Sequence, residues 1–426
     1  MKKRIFAALL ASLFLGSAAY AQDNENKGSF YVDAQLRTRG EYRHGAIQPR
    51  NEGDKPAGFI NERARLSLGY QRKRLALGFS AQHVGVWGQD AMVEKSGRLS
   101  LNEAWAALCL NDSWFVKLGR QELSYDNERL LGELDWNVAG RYHDALKLGY
   151  ESMGHKFHAV VAFNQNDESI IGGTYYDNSR TKLYKNMQML WYNYDFVQIR
   201  GCLSLLAMNI GQEGGNAETK KADTKYMQTF GAYLYLYPNR WDVSGSFYYQ
   251  TGKTPAGRSV SAYMANVAAE YRISRPWSVG VLFDYLSGSK DATGTYRAFN
   301  PLYGTHHKFY GAMDYFYASN FANGYAPGLM DADLYVKYRV SPTVSMGLDC
   351  HYFATGAKLA NLERTLGSEL DYQLQWKIMK DVSLSLGYSV MFGTSTMDAV
   401  KGGNHNCWQD WGWVSLNITP RLFEKE

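Results

Sequence analysis

Four arginines recur at alternate positions in two segments near the start of the chain, as Arg37 and Arg39 and then as Arg63 and Arg65. Residues two apart in an extended strand point to the same face, so each pair projects its guanidinium groups in one direction. Guanidinium forks match carboxylates, and rings of basic side chains select anions in pores. The spacing predicts a basic wall that binds carboxylates, which come either from an anionic solute or from acidic side chains of the chain itself.

Further charged residues lie on the polar side of their own segments. The basic ones add candidate pore-lining and anion-binding positions at Arg120, Arg272, Lys337 and Arg339. The acidic ones are Asp284, Asp331, Asp333, Asp349, Glu369 and Asp371. The predicted interior is therefore mixed in charge. The formal net charge is +5, and three of the positive charges fall within the first four residues. This balance excludes a strongly basic nucleic-acid binder.

The elements that must hold these side chains are strands. From residue 28 onward, apolar and polar residues alternate in segments of about 10 to 14 residues, a length and period typical of membrane-spanning strands. The breaks between segments are short and long in turn. The predicted short turns are Gln71-Arg72-Lys73, Asn111-Asp112-Ser113, Asp195-Phe196, Pro238-Asn239, Arg275-Pro276, Ser341-Pro342 and Lys380-Asp381.

Short turns on one rim and long loops on the other are typical of a bacterial outer-membrane barrel. The pattern predicts an all-β, transmembrane, antiparallel up-and-down β-barrel of about 18 strands with short periplasmic turns and long extracellular loops. The apolar strand faces meet lipid and the polar faces line the lumen, while Tyr and Trp at strand ends form interfacial girdles. A barrel of this size is wide enough for an aqueous channel.

The N-terminal segment has the features of an export signal. Lys2, Lys3 and Arg4 precede an apolar run, and Ala19-Tyr20-Ala21 is a small-x-small cleavage site. We expect a signal peptide over residues 1–21 and one barrel domain over residues 22–426. The expected location is the outer membrane of a Gram-negative-type bacterium.

Two long-loop stretches resemble the loop motifs of the alginate export family of outer-membrane barrels. The first stretch, Gly119 to Asp144, contains Arg129, Asp135, Trp136, Arg141 and Asp144. The second, Phe299 to Asp314, contains Pro301, His307, Lys308, Phe309, Tyr310 and Asp314. The resemblance implies an 18-stranded barrel that passes an anionic polysaccharide through an Arg-rich, loop-gated pore. The many lumenal carboxylates depart from that pattern, which puts alginate itself in doubt as the cargo.

The two long loops that contain these stretches are rich in aromatic residues, which are costly on a free surface loop. We therefore expect the loops to fold into the barrel mouth. The aromatic side chains either anchor the folded loops or provide platforms for sugar rings. The residues concerned are Trp136, Phe299, Tyr303, Phe309, Tyr310, Phe316 and Tyr317.

Two constellations suggest other chemistry and are not favoured. Adjacent His306 and His307 point in opposite directions in an extended chain, so they are poor partners with Asp314 for one metal ion. His351 and Asp349 share a face, but no nucleophile accompanies them as hydrolysis would require. We expect no cofactor, no metal site and no catalytic residues.

The favoured hypothesis is an outer-membrane channel for an anionic polysaccharide or a related anionic solute. A general or substrate-specific porin for other small solutes is the main alternative, and an adhesin or scaffold role is a third. The expected partners are the lipid bilayer, lipopolysaccharide and the cargo, with no nucleic acid, and the expected state is a monomer. The sequence leaves open whether a periplasmic partner delivers the cargo.

Overall fold

A computed structural model of the chain describes residues 28–425 except 95, 169, 172, 180–182, 291, 292 and 318. The predicted signal peptide lies outside the described residues. The strands are β1 (Ser29–His44), β2 (Ala57–Arg72), β3 (Leu75–Val86), β4 (Leu99–Cys109), β5 (Trp114–Gln121), β6 (His143–Ser152), β7 (His155–Phe163), β8 (Asn186–Phe196), β9 (Gly201–Glu213), β10 (Thr224–Leu236), β11 (Trp241–Lys253), β12 (Ser259–Arg272), β13 (Trp277–Leu286), β14 (Leu329–Arg339), β15 (Val344–Ala354), β16 (Thr365–Met379), β17 (Val382–Gly393), β18 (Gln409–Ile418) and β19 (Arg421–Lys425).

The strands close into a barrel, because β1 pairs with β2 on one side and with both β18 and β19 on the other. The segments β18 and β19 are one strand interrupted at Thr419 and Pro420, where proline cannot donate a ladder hydrogen bond. Counted in this way, the barrel has 18 antiparallel strands. The predicted fold class is confirmed.

Turns of two to four residues form one rim of the barrel, and longer loops form most of the other. Two predicted turns are displaced towards the N-terminus. Gln71 and Arg72 still pair with Ala76 and Leu75, so the first of these turns is Lys73-Arg74. Asp195 and Phe196 still pair with Cys202 and Gly201, so the second turn lies at residues 197–200. The turn at Met153-Gly154 was not predicted. The first motif lies mainly in the loop at residues 122–142, here called loop A. The second lies in the longest loop, residues 287–328, here called loop B.

The outer face of the barrel carries the apolar set that the alternation predicts. Leu118, Val281 and Leu334 are 60%, 53% and 54% exposed, as lipid-facing side chains must be in the isolated chain. Aromatic pairs mark the short-turn rim, where Trp241 and Tyr271 have ring centroids 4.7 Å apart. This is the expected girdle at a membrane interface. In the described part of the chain, no helix is long and apolar enough to cross a membrane.

Val281→Arg tests the assignment of the lipid face. Val281 is near the middle of β13 and points outward, so a charge there should destabilise the folded barrel by about 2–4 kcal/mol. The matched control is Ser278→Arg on the opposite, inner face of the same strand. Urea titration of the protein refolded in vesicles gives the free energy of unfolding. Equal losses in the two variants would contradict the assignment.

Buried aromatic and methionine side chains from the loops fill much of the barrel mouth. Loop B contributes Met313, Tyr315 and Phe316, each at most 1% exposed. They belong to one hydrophobic cluster with wall residues such as Met187 and Phe353. A short helix, α1 (Ser395–Lys401), packs beside them and is capped by Thr394. The core of the molecule is therefore the packing of inward loops against the wall.

Candidate functional site: two loops folded into the pore

The basic wall predicted on β1 and β2 is in contact with loop A. Arg37 and Arg63 lie directly opposite each other in the two strands, where like charges repel. The carboxylate of Asp135 bridges them, 2.6 Å from Arg63 Nη2 and 3.4 Å from Arg37 Nη1. Partial burial acts to raise the pKa of Asp135, but the charges of Arg63 and Arg37 outweigh it and lower this pKa below its ordinary value. The arginines thus hold a carboxylate supplied by the chain itself.

The backbone of loop A follows the same wall for four residues. Arg37 donates to the carbonyl oxygens of Asp135 and Asn137 at 2.7 and 3.1 Å. Arg39 donates to Trp136 O at 2.9 Å, and Arg63 to Val138 O at 3.3 Å. The segment 135–138 therefore presents one carboxylate and four carbonyl oxygens to the basic wall. We call this segment the plug segment.

Trp136 has neighbours on both faces of its indole ring. The Arg39 guanidinium lies 4.0 Å from the ring centroid, and the His307 ring stacks on the indole at 4.0 Å with an interplanar angle of 11°. The edges of Trp411 and Trp413 complete the cluster. No face is free for a sugar ring, so Trp136 acts as an anchor for loop A.

Two further side chains of the basic wall, Glu41 and Arg43, were not identified from the sequence. Glu41 accepts from Arg39 Nε at 2.9 Å and from Arg43 Nη2 at 2.7 Å, and the Glu41 side chain is fully buried. The signal was present, because Arg37, Arg39, Glu41 and Arg43 continue one alternating face. Arg65 bonds instead to the side chain of Gln82, with Nη2 at 2.7 Å from Oε1.

Arg120 does not line the pore. It shares a strand face with Trp114, Val116 and Leu118, and Leu118 is 60% exposed on the outer surface. Its guanidinium pairs with Asp144, with Nε 2.9 Å from Oδ1, near the long-loop rim. The prediction of Arg120 as an anion-binding residue is therefore corrected. Asp144, expected as a loop-motif residue, is the second residue of β6 and faces outward with it.

The other predicted basic residues lie on the inner face near the short-turn rim. Lys337 pairs with Glu270 at 2.6 Å, and Arg272 lies 3.7 Å from Asp242. Arg339 is exposed at the end of β14. These side chains are well separated along the strands from the plug segment, so they do not belong to the same cluster.

Loops A and B dock on each other through their motif residues. Arg129 of loop A pairs with wall residue Asp284 at 3.0 Å, with side chains 1% and 0% exposed, and its guanidinium lies 3.8 Å from the Phe309 ring centroid. Tyr310, 1% exposed, packs beside the same guanidinium. Burial acts to lower the pKa of Arg129, but Asp284 and Tyr310 raise it above its ordinary value, so the guanidinium stays charged.

Backbone contacts continue this interface between the loops. Leu131 and Tyr303 form an isolated parallel bridge. Arg141 donates to the carbonyl oxygens of Tyr303 and Gly304, and Lys308 lies 3.4 Å from a Glu128 carboxylate oxygen. The two motif stretches start 180 residues apart in the sequence, at Gly119 and Phe299, and form one structural unit inside the mouth.

His307 and Asp314 bind each other within loop B. His307 Nδ1 lies 2.8 Å from Asp314 Oδ2. His306 is directed differently, with Nε2 3.4 Å from the carbonyl oxygen of Pro301. Within the described residues, no group of three or more His, Cys, Asp or Glu side chains is arranged to hold a metal ion. The pair fixes the ring that stacks on Trp136.

The acidic residues of β13 to β16 form a second wall that holds loop B. Glu369 accepts from Met313 N at 2.7 Å, and Asp371 accepts from Ala312 N at 3.2 Å. His351 lies between carboxylates, 2.9 Å from Asp331 and 3.6 Å from Asp371. Gly311 has a φ of +84°, and a Cβ there would lie 2.8 Å from the Glu369 carboxylate. The lumen therefore has a basic wall bound to carbonyl groups of loop A and an acidic wall bound to N–H groups of loop B.

The sequence that contains these two loops matches a known protein family. The family model described as "Alginate export" matches residues 31–332, which is more than half of the chain and includes both loops. The chain belongs to the alginate export family. A search of curated proteins finds no match to this sequence.

Solved structures with the same fold as this alginate export family member include the outer membrane protein OpdK of Pseudomonas aeruginosa. Pseudomonas aeruginosa OccK9 (OpdG) is 13% identical, with a TM-score of 0.61 covering 94% of this chain and 100% of that one. Acinetobacter baumannii OccAB4 is 12% identical, with a TM-score of 0.61 covering 94% and 99%. Pseudomonas aeruginosa OccK2 (OpdF) in complex with glucuronate is 12% identical, with a TM-score of 0.60 covering 92% and 98%. At these identities the likeness concerns the fold. Together with the family it supports an outer-membrane channel of a Gram-negative bacterium.

Proposed function

We propose that this protein is a loop-gated channel for an anionic saccharide or a related anionic solute, and that arginines of β1 and β2 select the cargo. The observation that carries the proposal is the Asp135 carboxylate between Arg37 and Arg63. A uronate residue offers the same groups as the plug segment, namely a carboxylate and several neutral oxygen acceptors. The plug segment would then occupy the cargo's own binding surface when the channel is closed.

Exposure of the site supports displacement by a solute. The Asp135 side chain is 48% exposed, whereas the Arg63 side chain is fully covered and that of Arg37 is 10% exposed. An approaching anion can therefore compete with Asp135 for the arginines without first entering a closed cavity. Charge-assisted bonds to guanidinium are strong and directional, so an anion gains more from this exchange than a neutral sugar does.

A porin for small carboxylate solutes is the second candidate. The observation in its favour is that solved structures sharing the fold include Pseudomonas aeruginosa OccK2 (OpdF) in complex with glucuronate and Pseudomonas aeruginosa OpdK with vanillate. Both are small carboxylates. Under this alternative the same arginines act on single molecules, and polymer does not pass.

Solute uptake into proteoliposomes tests the proposal. We expect glucuronate to enter faster than glucose through Asp135→Ala protein, and Arg37→Gln/Arg63→Gln in that background to bring the two rates together. Arg120→Gln is the matched control, because Arg120 is on the outer face. Entry of a short uronate oligomer supports the saccharide channel, and entry of the monomer alone supports the small-solute porin. Equal rates for glucuronate and glucose before the arginines are changed would overturn the anion proposal.

A further inference from the structure

Two lysines lie side by side on the inner wall of β5 and β6. Lys117 and Lys147 are directly opposite in the strand register. Their strand neighbours Leu118 and Leu146 are 60% and 40% exposed on the outer surface, so the lysines point inward. Both lysines are themselves partly exposed, which on the inner face means access from the lumen. They lie between the short turn at residues 110–113 and the start of loop A at residue 122.

Neither ammonium group has a carboxylate within salt-bridge distance among the described residues. Three other bases on the inner wall below the loops do have one. Lys156 is 3.0 Å from Asp195, Lys337 is 2.6 Å from Glu270, and Arg421 is 2.7 Å from Asp33. Like charges directly opposite in a sheet destabilise it. The carboxylates of Glu103, Glu122 and Glu151 act on the pair from beyond ion-pair distance and offset this repulsion only in part.

The surroundings of the pair fix the position of the lysines. The Lys117 ammonium lies 3.7 Å from the centroid of Trp105, in cation–π contact. Trp105 lies against Gly78, where a Cβ would be 2.4 Å from the ring, so the indole is packed directly on the neighbouring strand. Its indole N–H donates to the Glu103 carboxylate at 3.1 Å, so the ring and this carboxylate hold each other in place. The indole is therefore a rigid support for Lys117.

Phe115 has the equivalent position beside Lys147. Its ring lies against Gly149, where a Cβ would be 2.1 Å away, and the Lys147 ammonium is 5.8 Å from its centroid. Two glycine–aromatic contacts thus support two adjacent amines on one patch of wall. A single anion placed between the amines would offset their repulsion and accept hydrogen bonds from both.

We propose that Lys117 and Lys147 form a second anion site, which binds a carboxylate of the cargo on the short-turn side of the loops. The inference rests on the proposed function for the identity of the cargo. The site adds a binding step between the short-turn rim and the plug segment. An anion reaches the lysine site from the lumen directly, whereas at the arginine site it must first displace Asp135.

Calorimetric titration of the purified protein with glucuronate tests the site. Lys117→Gln/Lys147→Gln should weaken the affinity about tenfold or more, since bonds to both charged donors are lost. Lys156→Gln is the matched control, because that lysine is paired with Asp195 on the same wall. Lys117→Arg/Lys147→Arg should retain binding. Equal affinity in the wild type and the Gln double variant, or no binding to either, would overturn the site.

The same variants in the uptake assay separate this site from the proposed function. If glucuronate enters faster than glucose but the wild type and the Gln variant bind glucuronate with equal affinity, the proposed function is supported and the lysine site is ruled out. If the Gln variant binds glucuronate more weakly but glucuronate and glucose enter at equal rates, the lysine site is supported and the arginine-selective channel is ruled out. Replacing the lysines relieves a repulsion, so the Gln variant should fold, and circular dichroism of the barrel verifies this.

Discussion

Asp135→Ala should open the channel. The variant removes the carboxylate that holds Arg37 and Arg63 together and leaves the four carbonyl contacts of the plug segment in place. A hydrogen bond to a charged group contributes about 1.5–3 kcal/mol, and the half-exposed position of Asp135 favours the lower value. A loss of about 1.4 kcal/mol raises the ratio of open to closed channels about tenfold. Single-channel recording in planar bilayers measures this ratio.

Asp144→Asn is the control for this prediction. It also removes an arginine-paired carboxylate, but the pair with Arg120 is on the outer surface. Its open fraction should equal that of the wild type. An unchanged open fraction in Asp135→Ala would show that Asp135 does not hold the plug segment.

Arg129→Met should release loops A and B from each other and from the wall. The variant leaves the buried carboxylate of Asp284 without its partner, and breaking such a pair costs about 3–5 kcal/mol. Asp284→Asn in the same chain removes the stranded charge and should recover most of the loss. Hydrogen exchange of amides at residues 130–132 and 303–305 measures undocking, and about 3 kcal/mol speeds exchange by more than a hundredfold.

Arg120→Met provides the comparison, because its partner Asp144 is about half exposed and surface pairs contribute about 0–1 kcal/mol. We expect exchange in loops A and B to be unchanged by it. Slow exchange in Arg129→Met would mean that aromatic packing, and not the buried ion pair, holds the two loops together.

The sequence predicts the barrel well because each strand records its surroundings locally. One face of each strand meets lipid and the other meets the lumen, so apolar and polar residues alternate in every segment. The same alternation places Arg37, Arg39, Arg63 and Arg65 inside. The two strands that carry them are consecutive in the chain and therefore pair, as β1 and β2 do. Errors arise where the pattern is thin. Arg120 is the next-to-last residue of an eight-residue strand, and its outward direction follows only from Trp114, Val116 and Leu118.

The contacts inside the mouth lie beyond local patterns. Asp135 is 72 residues from Arg63, and Trp136 stacks on a histidine of another loop. Nothing in the spacing of either loop specifies its partner, because loop conformation depends on the wall it packs against. The inward direction of Lys117 and its neighbour Lys147 could have been predicted from the sequence, because Phe115, Lys117 and Gly119 alternate with the apolar residues of β5. The short length of that strand concealed the signal.

Charge selectivity of the opened channel is the most direct test of the account. Reversal potential under a salt gradient should show anion preference for Asp135→Ala, and Arg37→Gln/Arg63→Gln in the same background should abolish it. Cation preference in Asp135→Ala, or anion preference that survives loss of both arginines, would contradict an arginine-selective channel closed by loop A.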